Sequence, residues 1–246
     1  MTDTHTHLTE EPLVSHLDAV IARAREVGVD KFIIPGYNAD SWERARELAD
    51  SYDEIYYSVG LHPMFINERK LPTFEKESEK LVAVGEIGLD YYNGDANKRE
   101  QIKLFESQMQ LAKEKKLPVI LHCRKAYDDL FEICKKYREI NCVLHSCSCS
   151  AEQAKPFLKL GFYISFSGTV TRKNSRKVKR LAELVPLEKM ILETDSPFIG
   201  TATRPVPSVE PAQLTEIILS VAEIKKVKIE LVKNAVEANA KNLFKL

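Results

Sequence analysis

No stretch of this chain approaches the ~20 consecutive apolar residues that a membrane-spanning helix needs. Nor is there a surplus of one charge sign: 36 basic side chains face 36 acidic ones. The first absence argues against a membrane partner. The second argues against a protein that coats duplex nucleic acid, although a strand can still be processed in a small pocket. No C-x-x-C pair occurs, and the five cysteines are an odd number, with Cys147 and Cys149 the closest pair. A reduced, cytoplasmic protein is expected on that basis. The N-terminus MTDTHTHL shows no basic segment followed by an apolar one, so no secretory signal is expected. There is no Gly-x-Gly-x-x-Gly turn, phosphate loop, internal repeat or low-complexity tract.

What is present alternates. Short runs dense in Val, Ile, Tyr and Phe predict strands at Asp3–Leu8, Lys31–Gly36, Ile55–His62, Leu81–Leu89, Pro118–Cys123, Cys142–His145, Phe162–Phe166 and Met190–Thr194. Amphipathic stripes lie between them. Examples are Leu13, Leu17, Val20, Ile21 and Ala24, closed by Gly28, and Ile102, Phe105, Met109 and Ala112. Leu130, Cys134 and Tyr137 form another stripe, and Leu214, Ile217, Ile218 and Val221 form one after Pro211. Ser150 is a candidate N-cap for a helix over 151–160. The tail after Val227 predicts one or two helices, at 229–238 and 240–243. Eight βα units in 246 residues predict one domain, residues 1–246, folded as a (β/α)8 TIM-type barrel with its site at the C-terminal ends of the strands.

Five of the six histidines fall at predicted strand ends: His5, His7, His62, His122 and His145. Glu86 and Asp195 join them, and His16, on the first helix, is given no role. Alternate residues of a strand share a face, so Asp3, His5 and His7 go together, as do His122 with Arg124 and Glu193 with Asp195. In a closed barrel these side chains converge on one point. Neutral imidazoles and carboxylates are what divalent metals bind. His5, His7, His122 and His145, with Glu86 and Asp195, suffice for two open metal sites, with the two oxygens of Glu86 available as a bridge. Two cations ~3.5–4 Å apart can activate a water and stabilise both oxygens of a phosphoryl displacement. A carboxylate rather than a lysine at the bridging place favours phosphoester over amide chemistry.

At these residues the chain resembles the TatD family of metal-dependent deoxyribonucleases. The matching blocks are DTHTHL, VGLHP, VGEIGLDYY, Gln101 to Ala112, LPVILHCR, the region from His145, and LETDSPF, in order over essentially the whole chain. The resemblance implies a barrel using two Mg²⁺, Mn²⁺ or Zn²⁺ ions and 3′-to-5′ removal of nucleotides from single-stranded DNA. It implies His5, His7, Glu86 and Asp195 on one metal and Glu86, His122 and His145 on the other. Asp195 would orient or deprotonate the attacking water, and His62 would contact the scissile phosphate or assist the leaving group. The chain departs from the family pattern at HSCSCS and at PSVEP, and the second bears on substrate contacts at the rim loop, Thr201–Glu210. Two other readings stay open: hydrolysis of another ester, such as an aminoacyl ester on tRNA, and a scaffold without turnover. The oligomeric state is not legible, and a monomer is the working expectation.

Secondary candidates surround this set. Arg124 either binds a phosphate or pairs with Asp128 or Asp3. Glu193 is expected to orient a ligand. Lys179 and Arg180, in the run Arg172–Arg180, are expected on a solvated helix face, with Arg172 and Lys173 nearer the rim. Phe65 and Tyr91 are expected as packing residues, with base stacking as the alternative. Cys123 is expected to face outward and Cys147 to be a buried small hydrophobe.

Overall fold

In a computed structural model that describes residues 1–68, 78–94 and 96–246, eight parallel strands pair in chain order. They are β1 (Thr2–Asp3), β2 (Lys31–Ile34), β3 (Ile55–Val59), β4 (Leu81–Asp90), β5 (Val119–Arg124), β6 (Cys142–Leu144), β7 (Tyr163–Phe166) and β8 (Met190–Leu192). The ends of β8 and β1 are joined by hydrogen bonds. Asp195 N donates to His5 O at 2.9 Å, His7 N to Ser196 O at 2.8 Å, and Thr194 N to Asp3 Oδ1 at 2.9 Å. The result is a TIM-type barrel.

Helices α1 (Leu17–Glu26), α2 (Ala39–Ser51), α3 (Lys98–Lys115), α4 (Tyr127–Cys134), α5 (Ala151–Lys159) and α6 (Arg176–Leu184) lie on the crossovers, and α7 (Leu214–Lys225) and α8 (Ile229–Phe244) follow β8. The crossover after β3 begins with a short 3₁₀ segment, Pro63–Glu68. Ser150 caps α5 by accepting from Gln153 N, as its position predicts. The tail is one helix where two were also open. Asn239, at the expected break, is buried in α8 and donates to Leu187 O and Met190 O, which ties the helix to the barrel.

The strands alternate as buried strands do. Phe32, Ile34, Val119, Leu121, Leu144, Ile164 and Met190 face the helix layer, within the larger core. Ile33, Ala83, Ile120, Val143 and Ile191 form a second core with Leu243 and Phe244 of α8, and so fill the barrel interior. This alternation positions the site. Two residues beyond Ile120 comes His122, two beyond Val143 comes His145, and two and four beyond Ile191 come Glu193 and Asp195.

β4 needs a correction to pure alternation. Val84 and Ile87 both face the helices, so two residues lie between them, and the pairing with β5 shifts there. This extra residue turns Glu86 inward. Gly85 makes the shift possible, because a Cβ there would lie 2.6 Å from Ile120 Cβ. Glu86 therefore sits inside β4, as the predicted strand Leu81–Leu89 has it, and not at the strand end with the histidines.

Candidate metal centre

The site residues come from six strands or the turns just beyond them, and all lie at the C-terminal mouth. Strand β1 is shorter than expected, so His5 and His7 stand on the turn after it. Asp3 is not with them: it is fully buried, accepts from Thr194 N and Thr194 Oγ1, and burial raises its pKa to about 8.

Glu86 is the centre of the constellation, and it divides its two oxygens. Oε2 lies 3.4 Å from His5 Nε2. Oε1 lies 2.8 Å from His122 Nδ1, 3.7 Å from His145 Nε2 and 3.6 Å from His62 Nε2. Asp195 divides its oxygens too: Oδ1 is 3.3 Å from His7 Nε2 and 3.9 Å from His5 Nε2, and Oδ2 is 3.5 Å from His145 Nε2. Its backbone sits at φ +55°, in the left-handed region that a non-glycine residue occupies at a cost.

The donor set fits divalent cations. Ligand bonds of ~2.1 Å at tetrahedral or octahedral angles put donor atoms ~3.0–3.5 Å apart, close to most of these separations. Both ring nitrogens of His5 and Nδ1 of His7 are buried without a hydrogen-bond partner among the described residues. Buried polar atoms in that state are rare and call for a missing partner. The groups His5–His7–Glu86 and His5–His145–Asp195 each bring one donor atom per residue within 4.8 Å of one another.

A further group of that kind, His62–Glu86–His122, is disfavoured by the proton on His62. Met64 N donates to His62 Nδ1 at 3.1 Å, so Nδ1 carries the lone pair and Nε2 the hydrogen. Burial, reinforced by the charge of His122, lowers the His62 pKa to about 3. His62 is thus a neutral ring that presents an N–H to the cavity.

Charges around Glu86 are tightly interlocked. Burial opposes ionisation of Glu86, but His145, His122, His5 and His62 hold its pKa well below the ordinary value. Burial also opposes a charge on His145, yet Glu193, Glu86 and Asp195 raise its pKa to about 10. His122 is raised as well, against burial, by Asp90 and Glu86. Burial and the neighbouring His145 lower His5, whose ring stacks on His145 with centroids 3.7 Å apart.

Two carboxylates orient histidines from behind. Glu193 Oε1 lies 2.8 Å from His145 Nδ1, as its strand position suggested. Asp90 Oδ2 lies 2.9 Å from His122 Nε2, and the sequence reading missed it. The signal was available, because Asp90 follows Glu86 by four residues on the same face of β4. Such carboxylate–histidine pairs fix the ring orientation in metal sites. Behind β3 and β4, helix α3 uses two buried amides about two turns apart. Gln108 donates to Leu61 O and accepts from Leu61 N, beside His62, and Gln101 does the same for Asp90.

Other candidates separate cleanly. The Arg124 guanidinium lies 3.5 Å over the Tyr92 ring at the cavity mouth and pairs with neither Asp128 nor Asp3 among the described residues. Arg172 donates to Gly200 O, which anchors the rim loop. Glu210 pairs with Arg23 and caps the segment beginning at Pro211, away from the cavity. Arg180 is exposed and lies near Glu152. Tyr91 donates to Asp129 outside the cavity. Cys147 is buried with its sulfur 3.3 Å from that of Cys149. Phe65, expected as packing, lines the cavity instead.

A family model described as TatD related DNase matches residues 2–245. The chain belongs to the TatD family. It is 35% identical to YabD of Bacillus subtilis, named an uncharacterized metal-dependent hydrolase, over 99% of this chain and 98% of that protein. It is 32% identical to the 3′-5′ ssDNA/RNA exonuclease TatD of a Pantoea species over the full length of both. The crystal structure of the TatD homologue YjjV of Escherichia coli superposes with a TM-score of 0.87 at 31% identity, covering 100% of this chain and 98% of that one. This TatD-family chain is accordingly a metal-dependent hydrolase on a TIM barrel.

Proposed function

We propose that the chain cleaves phosphodiester bonds with two divalent cations, Mg²⁺, Mn²⁺ or Zn²⁺, and removes nucleotides from the 3′ ends of single-stranded DNA. The observation that carries this reading is the division of Glu86. One oxygen faces His5, near His7 and Asp195, and the other faces His122 and His145. That is the arrangement a bridging carboxylate would require: His5, His7, Glu86 and Asp195 would hold one cation, and Glu86, His122 and His145 the other. Cations held there supply Lewis acidity and lower the pKa of water.

The chain's own groups divide the remaining work. Asp195 is ionised, its pKa held below the ordinary value against burial by His145, His7 and His5, so its carboxylate can orient the attacking water and accept its proton. His62 donates its Nε2–H to a non-bridging phosphate oxygen, where negative charge grows in the transition state. Arg124 stands at the mouth, where a guanidinium meets a phosphate of the strand. The named activity of the Pantoea relative, on single-stranded DNA and RNA, points to the same substrate class.

Single-stranded DNA labelled at either end tests this. Metal-stripped protein reloaded with Mg²⁺, Mn²⁺ or Zn²⁺ is expected to release the 3′ label at once and to convert 5′-labelled strands into a shortening ladder. Internal cuts would contradict the exonuclease assignment. An intact strand with hydrolysis of an aminoacyl ester would move the substrate to the other ester class.

A further inference from the structure

The mouth of the cavity is unlike its floor. Above the histidines, aromatic side chains form a continuous arc over one half of the rim. Phe198, three residues past Asp195, stands edge-on to His7 with ring centroids 4.7 Å apart. His7 lies 5.8 Å from Tyr37, beyond β2, and Tyr37 lies 5.4 Å from Phe65, beyond β3. Met64 completes the arc. Phe198 is 54% exposed and Met64 68%. Among the described residues, Met64, Phe65 and Phe198 belong to neither core. Large apolar groups left in water at the mouth of a polar site mark a binding surface.

The opposite half of the rim is polar. Asp90 and Arg124 lie there, with the Arg124 guanidinium stacked on Tyr92 and Lys125 Nζ 4.7 Å from the same ring centroid. Between the two halves is a cavity of about 490 Å³, a size that suits one small ligand rather than the end of a duplex.

We propose that the aromatic arc of Tyr37, Phe65 and Phe198 is the seat of the unpaired 3′-terminal base; this rests on the nuclease reading. When the scissile phosphate reaches Glu86 and Asp195, the attached nucleoside must lie against the rim. The arc offers it π surfaces, and the cationic side lies across the mouth for the backbone phosphates. Stacking is sequence-tolerant, since every base has a π face. The Tyr37 hydroxyl donates to Glu10, so its hydrogen is not available to a base edge, and terminal nucleotides are expected to be removed whichever base they carry. A paired terminal base must first leave its stack, which costs free energy and makes single strands the preferred substrate.

The test pairs a protein change with a substrate change, using the full-length, metal-loaded protein. Two oligonucleotides are compared, one ending in thymidine and one in an abasic tetrahydrofuran residue. Phe198→Leu keeps an apolar side chain and removes the flat ring. It is expected to lower kcat/KM on the thymidine end about tenfold, mainly through KM. Removing the base is expected to cost the unaltered protein a similar factor, and the two losses are expected not to multiply. Phe198→Tyr is expected to retain most of the activity, and melting temperatures identify any variant that fails to fold. Losses that multiply, or a Phe198→Leu protein that cleaves both oligonucleotides as the unaltered protein does, would overturn the base-seat assignment and leave the nuclease reading standing. Failure of the unaltered protein to cut either oligonucleotide would remove the nuclease reading, and the base seat with it.

Discussion

Glu86→Gln is expected to lower hydrolysis by at least ~10³-fold if Glu86 is the shared metal ligand proposed above, because such a ligand underlies several kcal/mol of charge stabilisation in the transition state and each 1.36 kcal/mol is tenfold in rate. The change is nearly isosteric, so it opens no cavity beside the four imidazoles that contact Glu86. It removes the carboxylate that both proposed ligand sets share. Bound metal measured on the purified variant is therefore expected to fall along with turnover. The fold is expected to survive, since the hydrogen bonds joining β8 to β1 run from Asp195 to His5, from His7 to Ser196 and from Thr194 to Asp3, and none involves Glu86. A Glu86→Gln protein that keeps both its metal and its rate would remove the bridging role.

Metal affinity is expected to rise steeply with pH. In the metal-free protein His145 keeps its proton to about pH 10, against an ordinary value of 6.5, and the pKa of His122 is raised as well. A cation binds the neutral imidazole, so with His145 and His122 as the proposed ligands, loading at pH 7 is expected to expel the proton on His145 and whatever fraction of a proton His122 holds. Each expelled proton makes affinity climb about tenfold per pH unit. The sign for the metal-free fold is the reverse. A raised histidine pKa adds stability that is complete below about pH 6.5 and is lost as pH rises through 10. Calorimetric metal titrations in buffers of different ionisation enthalpy are expected to report release of at least one proton per protein molecule at pH 7, on filling of the side that holds His122 and His145. No release, or affinity independent of pH between 6 and 8, would contradict the protonation of His145.

Much of this was legible from the chain because strand alternation is a strong constraint. Ile120, Val143 and Ile191 fill the interior, and the same parity turns His122, His145, Glu193 and Asp195 toward the cavity. Gly28 and Ser150 stand where helix punctuation predicts them. Alternation misled at Asp3, where the strand ends at once and the carboxylate is taken up by Thr194. In β4 the register shift beside Gly85, which alternation does not foresee, is what brings Glu86 inside. Helix α2 was not singled out, because its buried face is just Ser41, Trp42, Ala45 and Ala49. The aromatic arc joins residues 37, 65 and 198, which are far apart in the chain and share no periodic pattern. The clamps made by Gln101 and Gln108 are invisible for a related reason: an amide on a helix reads as a surface residue until the backbone it grips is known.

Anomalous X-ray diffraction from crystals of protein reloaded with Zn²⁺ or Mn²⁺ tests most directly whether two cations share Glu86. Two anomalous peaks are expected, one on each side of the Glu86 carboxylate, the first against His5 and His7 and the second against His122 and His145. A single peak, or metal bound through His62 in place of His145, would contradict the account.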